Sequence, residues 1–237
     1  MKHYNEKAFL LLSIIALITS CKNDYKSQNS LDNEIEKETA AITIAQHLAE
    51  NAGISNWDNV EEIKFSFNVG KDGRTVLTRN WKWNPNTDNV QLISLGDTIN
   101  YNRNSKLDSI QASTDRGFIN DVYWLIPEFK LVWDEGTEIT EKKSQIAPIS
   151  KEKLDMITIL YNNEGGYTPG DAYDIYYDKD HKFKEWAYRS KNDSVITMAT
   201  TFKEYKTIEG ITIATDHLTP DGFTRINFTD IEIIKKK

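Results

Sequence analysis

The second half of the chain alternates between short apolar-rich runs and clusters of turn-forming residues. The clusters EGGYTPGD, DKDH, KND, EG and TPDG separate the runs, which cover residues 154–161, 171–177, 182–188, 194–202, 211–218 and 223–234. Runs of this length bounded by such clusters predict β-strands. Because very short connections join antiparallel neighbours, we expect an antiparallel sheet here.

The first half predicts two more hairpins. Residues 61–69 alternate apolar and polar side chains, a Gly-Lys-Asp-Gly turn follows, and residues 74–83 continue the alternation. Residues 89–94 and 98–101 form the second pair, around a Gly-Asp turn. Together with the six strands of the second half, these four give about ten strands.

Two segments have helical periodicity. Residues 36–52 carry an apolar stripe and end before Gly53, a residue typical of helix C-caps. A second helix is expected to begin after Ser105 and end near Leu125, because Pro127 stops it; a break at Gly117 is left open. The following PEFKLVW predicts a short strand around Phe129, and the dozen residues after it predict a mobile loop.

Strand number and helix number together predict the fold class. About ten to eleven antiparallel strands exceed what an open flat sheet usually holds, and two helices are too few to cover both of its faces. We therefore expect an α+β, mostly β, fold: a single, strongly curved, incomplete antiparallel β-barrel with an N-terminal helix and a helical lid insertion.

The N-terminus predicts export. Lys2, His3 and Lys7 precede the apolar run AFLLLSIIALI, which is shorter than the roughly 20 residues that a membrane-spanning helix needs, and Cys21 follows. The Ile-Thr-Ser-Cys ending resembles the lipobox of bacterial lipoproteins, which implies cleavage before Cys21 and acylation of its thiol. The alternative is an ordinary signal peptide cut near Ser20, with a free cysteine.

These features predict three parts: a signal peptide (residues 1–20), a polar tether after lipidated Cys21 (residues 21–35) and one β-domain (residues 36–237). We expect a bacterial envelope location, with the outer membrane, on its periplasmic or surface face, favoured over the inner membrane.

The charge of the chain excludes some partners. The whole chain has a net charge of -7, and the predicted signal peptide carries Lys2, Lys7 and Glu6, or +1, so the mature chain is near -8. A nucleic-acid partner is not expected, since clustered basic residues are missing apart from the C-terminal lysines. Acyl chains on Cys21, rather than surface charge, are expected to hold the protein on the membrane.

Catalytic motifs are lacking. The sequence has no nucleophile elbow, phosphate loop or HExxH, and His47, His181 and His217 are scattered over different predicted elements. Asp178, Asp180 and His181 predict a turn rather than a cation site. We therefore expect no enzyme activity, no cofactor and no metal site.

Aromatic side chains are the main candidate ligand contacts. The expected contacts on the first hairpin are Phe65, Phe67, Leu77, Arg79, Trp81 and Trp83, and those after the helical insertion are Trp124, Phe129 and Trp133. Rings at these positions either pack a core or line an apolar cavity. Arg79 interrupts the apolar face, which predicts either a bulge in the strand or a partner inside, near Asn120 and Asp121 or a ligand carboxylate.

The order of these parts resembles the LolA/LolB superfamily of envelope lipoprotein carriers. The resemblance rests on Gly53 with Trp57, on residues 120–131, and on residues 167–186. It implies an incomplete barrel capped by helices, with acyl chains entering between sheet and lid. The lipobox departs from the soluble LolA-type carriers, and no second functional loop of LolB type is found.

The sequence thus predicts a monomeric, lipid-anchored protein that binds a hydrophobic ligand, such as an acyl chain or lipoprotein lipid, without chemistry. The alternative is a non-catalytic envelope interaction or assembly scaffold with a filled core.

Overall fold

The computed structural model of the protein describes residues 43–162 and 168–237, which form twelve strands and three α-helices. The helices are α1 (Ile44–Asn51), α2 (Ser109–Leu125) and α3 (Pro127–Trp133), and short 3-10 turns cover Ile54–Asn59 and Ser190–Asn192. The strands are β1 (Val60–Lys71), β2 (Arg74–Asn84), β3 (Asn89–Ser94), β4 (Asp97–Asn102), β5 (Thr137–Ile146), β6 (Lys153–Tyr161), β7 (Ala172–Tyr177), β8 (Phe183–Arg189), β9 (Met198–Thr201), β10 (Lys203–Ile208), β11 (Ile211–Leu218) and β12 (Thr224–Lys235).

Every strand pair is antiparallel, and the strands form two hydrogen-bonded sheets. One has the order β10-β11-β12-β1-β2-β3-β4 and the other the order β5-β6-β7-β8-β9. The sheets meet at Thr201 of β9, whose hydroxyl accepts a hydrogen bond from Leu218 N of β11 (3.2 Å). The sheets are curved but not closed. The predicted fold class is confirmed, with twelve strands in place of ten or eleven.

Helix α1 has well-defined ends. The Thr43 side chain accepts a hydrogen bond from Gln46 N, and the Gln46 side chain accepts one from Thr43 N, which is a capping box. Gly53 follows with φ +90°, and a Cβ there would lie 2.0 Å from the Gly210 carbonyl oxygen, so only glycine fits. The predicted glycine cap is confirmed; the predicted helical residues 36–42 lie outside the described residues, as do the signal peptide, Cys21 and the tether.

Helix α2 confirms the predicted helical insertion. Asp108 caps it by accepting hydrogen bonds from the backbone amides of Ile110 and Gln111, and the helix continues through Gly117 without a break. It ends where Pro127 was expected to stop it. Apolar side chains of α2 and α3 share one buried cluster with those of both sheets, so these helices cover the inner faces of the sheets.

The predicted strand at Phe129 is wrong, because PEFKLVW forms α3. Proline cannot continue a helix but is favoured at its first position, so Pro127 ends α2 and begins α3. Phe129 and Leu131 are buried in this short helix. Over only seven residues, apolar side chains at every second position fit two turns of helix as well as they fit a strand.

The predicted loop after Gly136 is also wrong, because these residues form β5. This strand is the edge of its sheet and is mostly exposed and charged, as edge strands commonly are. A second polar edge strand, β10, was missed for the same reason. The strand predicted over 194–202 is shorter, since only Met198–Thr201 pair in the ladder.

No helix within the described ranges is both long enough and apolar enough to span a membrane.

Candidate ligand-binding site

A cavity of about 530 Å³ lies between α2, the segment that joins α3 to β5, and the inner face of the five-stranded sheet. This volume falls within the roughly 300 to 1,000 Å³ of small-molecule sites. Its lining is rich in aromatic residues and consists of Arg103, Arg116, Ile119, Asn120, Tyr123, Trp124, Lys130, Trp133, Asp134, Glu135, Gly136, Tyr161, Asn162, Thr168, Tyr173, Trp186, Tyr188 and Met198.

Strand register builds the aromatic wall of this cavity. Tyr173 of β7 pairs with Tyr188 of β8, and Trp186 lies two residues before Tyr188, so the three side chains share one sheet face. Their rings are nearly parallel: Tyr173 makes interplanar angles of 28° with Trp186 and 29° with Tyr188, at centroid distances of 5.5 and 5.3 Å. Trp124 of α2 also packs against Trp186, with the ring centroids 4.8 Å apart.

Two tyrosines of this wall donate hydrogen bonds to carboxylates of the protein. Tyr161 Oη donates to Asp134 Oδ2 (2.7 Å), and Tyr188 Oη donates to Asp171 Oδ2 (2.8 Å). Burial raises the pKa of Tyr161 far above its ordinary value, with the charge of Asp134 adding to the rise. Both hydroxyls therefore already donate to a carboxylate of the protein.

Two other polar atoms of the aromatic wall have no hydrogen-bond partner among the described residues. Tyr123 Oη and Trp186 Nε1 are buried, and neither completes a hydrogen bond with a described residue. Burial raises the pKa of the Tyr123 hydroxyl strongly, and contacts with Tyr161 and Trp186 that fall short of full hydrogen-bond geometry oppose that rise.

The mouth of the cavity carries charged side chains. Lys130 Nζ lies 3.4 Å from Asp134 Oδ1, and Arg103 Nε lies 2.8 Å from Asp115 Oδ1. Arg116, exposed on α2, makes no ion pair with a residue of the described ranges. The polarity along α2 therefore falls from Arg116 at the mouth to Trp124 at the inner end.

The nine predicted contacts lie in two different places. Trp124 and Trp133 line the cavity. Phe129 packs beside Trp133, with ring centroids 5.2 Å apart, and is itself buried in the core. The remaining six lie on the first hairpin, away from the residues that line the cavity. Whether any of the nine contacts a ligand stays a prediction.

On the first hairpin, Phe65, Phe67, Trp81 and Trp83 are each at most 7% exposed. Both tryptophans pack edge-on against Phe118 of α2, at 5.3 Å between ring centroids. Leu77 is half-buried. This face is occupied by packed side chains rather than by the cavity.

Arg79 has the internal partner that the sequence predicted. Its Nε donates to Asp121 Oδ2 (2.7 Å) and its guanidinium Nη2 to Asp121 Oδ1 (2.5 Å). Strand β2 keeps its register with Phe67 opposite Arg79, so no bulge is involved. We call this contact between β2 and α2 the Arg79–Asp121 latch.

Asp121 is completely buried and accepts further hydrogen bonds from Trp81 Nε1 (2.7 Å) and Asn120 Nδ2 (3.0 Å). Burial raises the pKa of the Asp121 carboxyl, and the hydrogen bonds and charge of Arg79 oppose that rise. The latch thus fixes the C-terminal half of α2, two residues before Tyr123.

Sequence reasoning missed Tyr123, Tyr161, Tyr173, Trp186 and Tyr188. The two-residue spacing of Trp186 and Tyr188 in EWAYR, in a segment already predicted as a strand, was the available signal.

The described residues hold no group of three or more His, Cys, Asp or Glu side chains placed for a metal ion. His47 stacks on His181 with centroids 6.0 Å apart, and Asp178 Oδ1 accepts hydrogen bonds from Asp180 N and Lys182 N, as in the predicted turn. His217 is buried among aromatic rings, with Nδ1 3.2 Å from the Thr201 carbonyl oxygen, and burial lowers its pKa to about 4.

Two solved structures are similar to the chain. One is a DUF1329 family protein from Desulfovibrio piger, at 11% identity and a TM-score of 0.46, covering 80% of this chain and 92% of that one. The other is a LolA superfamily protein from Nitrosomonas europaea, at 8% identity and a TM-score of 0.45, covering 81% and 94%. Identities and scores this low say nothing about ligand or activity. No family model matches the chain. No curated protein matches it either.

Proposed function

We propose that the protein binds a hydrophobic ligand, non-covalently and without catalysis, in the cavity between α2 and the five-stranded sheet. The observation that supports this best is the cavity itself: about 530 Å³, lined by seven aromatic side chains and flanked by a helix. An acyl chain, whose methylenes gain roughly 0.8 kcal/mol each on burial, suits such walls.

Helix α2 is the movable wall in this proposal. It provides Ile119, Tyr123 and Trp124 to the cavity, and the Arg79–Asp121 latch holds it to β2. Opening of α2, with release of this latch, is the proposed route for ligand entry.

Anchoring is the second part of the proposal. Acylated Cys21 would hold the mature, monomeric protein on a bacterial membrane, the outer one being favoured, with residues 21–35 as tether. This part rests on the sequence of the N-terminus alone.

One observation favours the second candidate, a non-catalytic envelope scaffold. The first hairpin, where the sequence placed the ligand, is packed against Phe118 and Phe228. If the aromatic cavity takes up no ligand, the domain is a scaffold with a filled core.

A cavity-filling pair of variants on one helix separates the two candidates. Ile119 lines the cavity, whereas Ile110, on the same helix, is 63% exposed and does not. With a fluorescent fatty acid as probe, Ile119→Trp should weaken binding at least tenfold, since an indole ring occupies space that the chain needs, and Ile110→Trp should leave it unchanged. No probe binding to the wild-type protein, or equal effects of the two substitutions, would contradict the ligand-binding function.

A further inference from the structure

Two polar atoms at the wall of the cavity are without a partner although they are buried. Trp186 is 4% exposed, and its Nε1 makes no hydrogen bond with a described residue; the same is true of Tyr123 Oη. Their neighbours differ, because Tyr161 and Tyr188 both donate to carboxylates of the protein. Trp83 Nε1, Thr200 Oγ1 and His217 Nε2 are also buried without a partner among the described residues, but they do not line the cavity. Within the lining, the shortage concerns Tyr123 and Trp186.

Such atoms are costly in a folded protein. A buried donor without an acceptor loses its hydration and gains nothing in return. The indole N–H can only donate, and a tyrosine hydroxyl can donate. Both rings pack on Tyr173, with centroid distances of 5.4 Å for Tyr123 and 5.5 Å for Trp186, so a single acceptor atom can serve both.

The charges around this point select the type of acceptor. The carboxylate of Asp134 faces Tyr161 and repels an anion, while Lys130 is already paired with Asp134. Arg116 is seven residues before Tyr123 on α2, about 10 Å away along the helix axis, and exposed. An ionised carboxylate placed at Tyr123 would be desolvated without a cation, at high cost. A neutral oxygen avoids that cost.

We propose that the ligand of this cavity carries a neutral carbonyl oxygen, as in a ketone or carboxylic ester, which accepts hydrogen bonds from Tyr123 Oη and Trp186 Nε1. This inference rests on the proposed binding function and narrows its ligand class: apolar groups on either side of the carbonyl fill the aromatic walls. A plain hydrocarbon, or a fatty acid whose only oxygens stay at the mouth, leaves both donors unpaired.

The test compares two probes of equal length, 2-undecanone and undecane, as competitors of bound N-phenyl-1-naphthylamine. The measured quantity is the ratio of their affinities for one protein, so that the intrinsic hydrophobicity of each probe cancels between variants. Tyr123→Phe should lower the ketone-to-alkane ratio about three- to tenfold, the usual worth of one hydrogen bond, and Trp186→Phe should lower it as well.

Tyr188→Phe is the matched control. It removes a hydroxyl from the same wall, but one that already donates to Asp171, so it should change the affinities of both probes alike and leave the ratio unchanged. Without ligand, Tyr123→Phe should melt at or above the wild-type temperature, because it removes an unpaired hydroxyl.

Each contrary result has a distinct meaning. If both probes bind and Tyr123→Phe leaves the ratio unchanged, the carbonyl proposal is wrong while the binding function stands. If ligand-free Tyr123→Phe melts several degrees lower, the hydroxyl already has a partner, protein or water, and the proposal is again wrong. If neither probe displaces the dye from the wild-type protein, the binding function fails and this inference fails with it.

Discussion

Removing Arg79 should release the C-terminal half of α2 from the sheet. Arg79→Leu keeps an apolar side chain over Phe67 but deletes the bidentate partner of a carboxylate that has no solvent exposure. The variant is informative because it affects the contact between β2 and α2 and leaves the lining of the cavity intact.

The expected magnitude follows from burial. Breaking a buried ion pair by removing one partner costs about 3 to 5 kcal/mol, because the remaining charge is uncompensated. Two features place Arg79→Leu at the lower end: the arginine side chain is 22% exposed, and Trp81 and Asn120 still donate to Asp121. We expect a loss of about 3 kcal/mol in the free energy of unfolding.

Urea denaturation and amide hydrogen exchange measure the global and local effects. Exchange should accelerate most between residues 118 and 125, by up to about a hundredfold in the ligand-free protein, since 1.4 kcal/mol corresponds to tenfold. In a double-mutant cycle, Arg79→Leu with Asp121→Leu should cost clearly less than the sum of the two single substitutions, because no unpaired charge remains.

Arg225→Leu is the control. Arg225 pairs with Asp216 on the same sheet, but its side chain is 57% exposed, and such surface pairs contribute about 1 kcal/mol or less. If Arg79→Leu costs no more than Arg225→Leu, and exchange between residues 118 and 125 is unchanged, the latch does not hold α2.

Three further predictions concern the anchor, a buried acid and the core. Cys21→Ala should abolish incorporation of radiolabelled fatty acid and release the protein from membranes; unchanged labelling would exclude lipidation at this residue. Burial raises the pKa of Glu128 from 4.5 to about 8, so the folded state holds a proton that the unfolded chain loses, and stability should fall by about 1.4 kcal/mol per unit as pH rises through this window. His217, with its pKa lowered by burial from 6.5 to about 4, gives the opposite slope of stability with pH below pH 6.5. The Glu128 slope should therefore be clearest between pH 6.5 and 8, where urea titrations of Glu128→Gln and of the wild type should diverge. Parallel stability profiles of the two proteins in this range would refute the assignment. Trp81→Ala should lower stability by about 3 to 5 kcal/mol, the typical cost of removing a packed ring, whereas Trp133→Ala at the cavity should cost less and weaken fatty-acid binding more; the reverse order in denaturation and probe titrations would contradict the placement of the two residues.

Local sequence patterns predicted most of the strands, because a half-buried strand must alternate apolar and polar side chains. Residues 61–69 and 74–83 pair as expected, and the misfit of Arg79 on that face correctly indicated an internal partner near Asp121. An arginine on an apolar face is costly, so its partner can be anticipated from sequence.

What the sequence could not supply depends on tertiary context. Strands β5 and β10 are polar because each is an edge with little to bury, so they lack the apolar alternation that identifies inner strands. The sequence did not distinguish the first hairpin from the hairpin of β7 and β8, since both carry aromatic rings and only their packing against α2 decides which set is filled. Phe118 occupies the space over Trp81 and Trp83, whereas Tyr123 and Trp124 of α2 contact Tyr173 and Trp186 and leave the cavity beside them.

The pairing of the first strand with the last has a consequence for how the chain folds. Val69 of β1 lies opposite Ile226 of β12, so the centre of the seven-stranded sheet depends on a contact between residues more than 150 positions apart. Contacts between residues so far apart in the sequence slow folding, because the long loop between β1 and β12 must close before their pairing stabilises the sheet. Until β12 is in place, β1 presents an open edge beside Phe65 and Phe67, which makes the nearly complete chain its most aggregation-prone form.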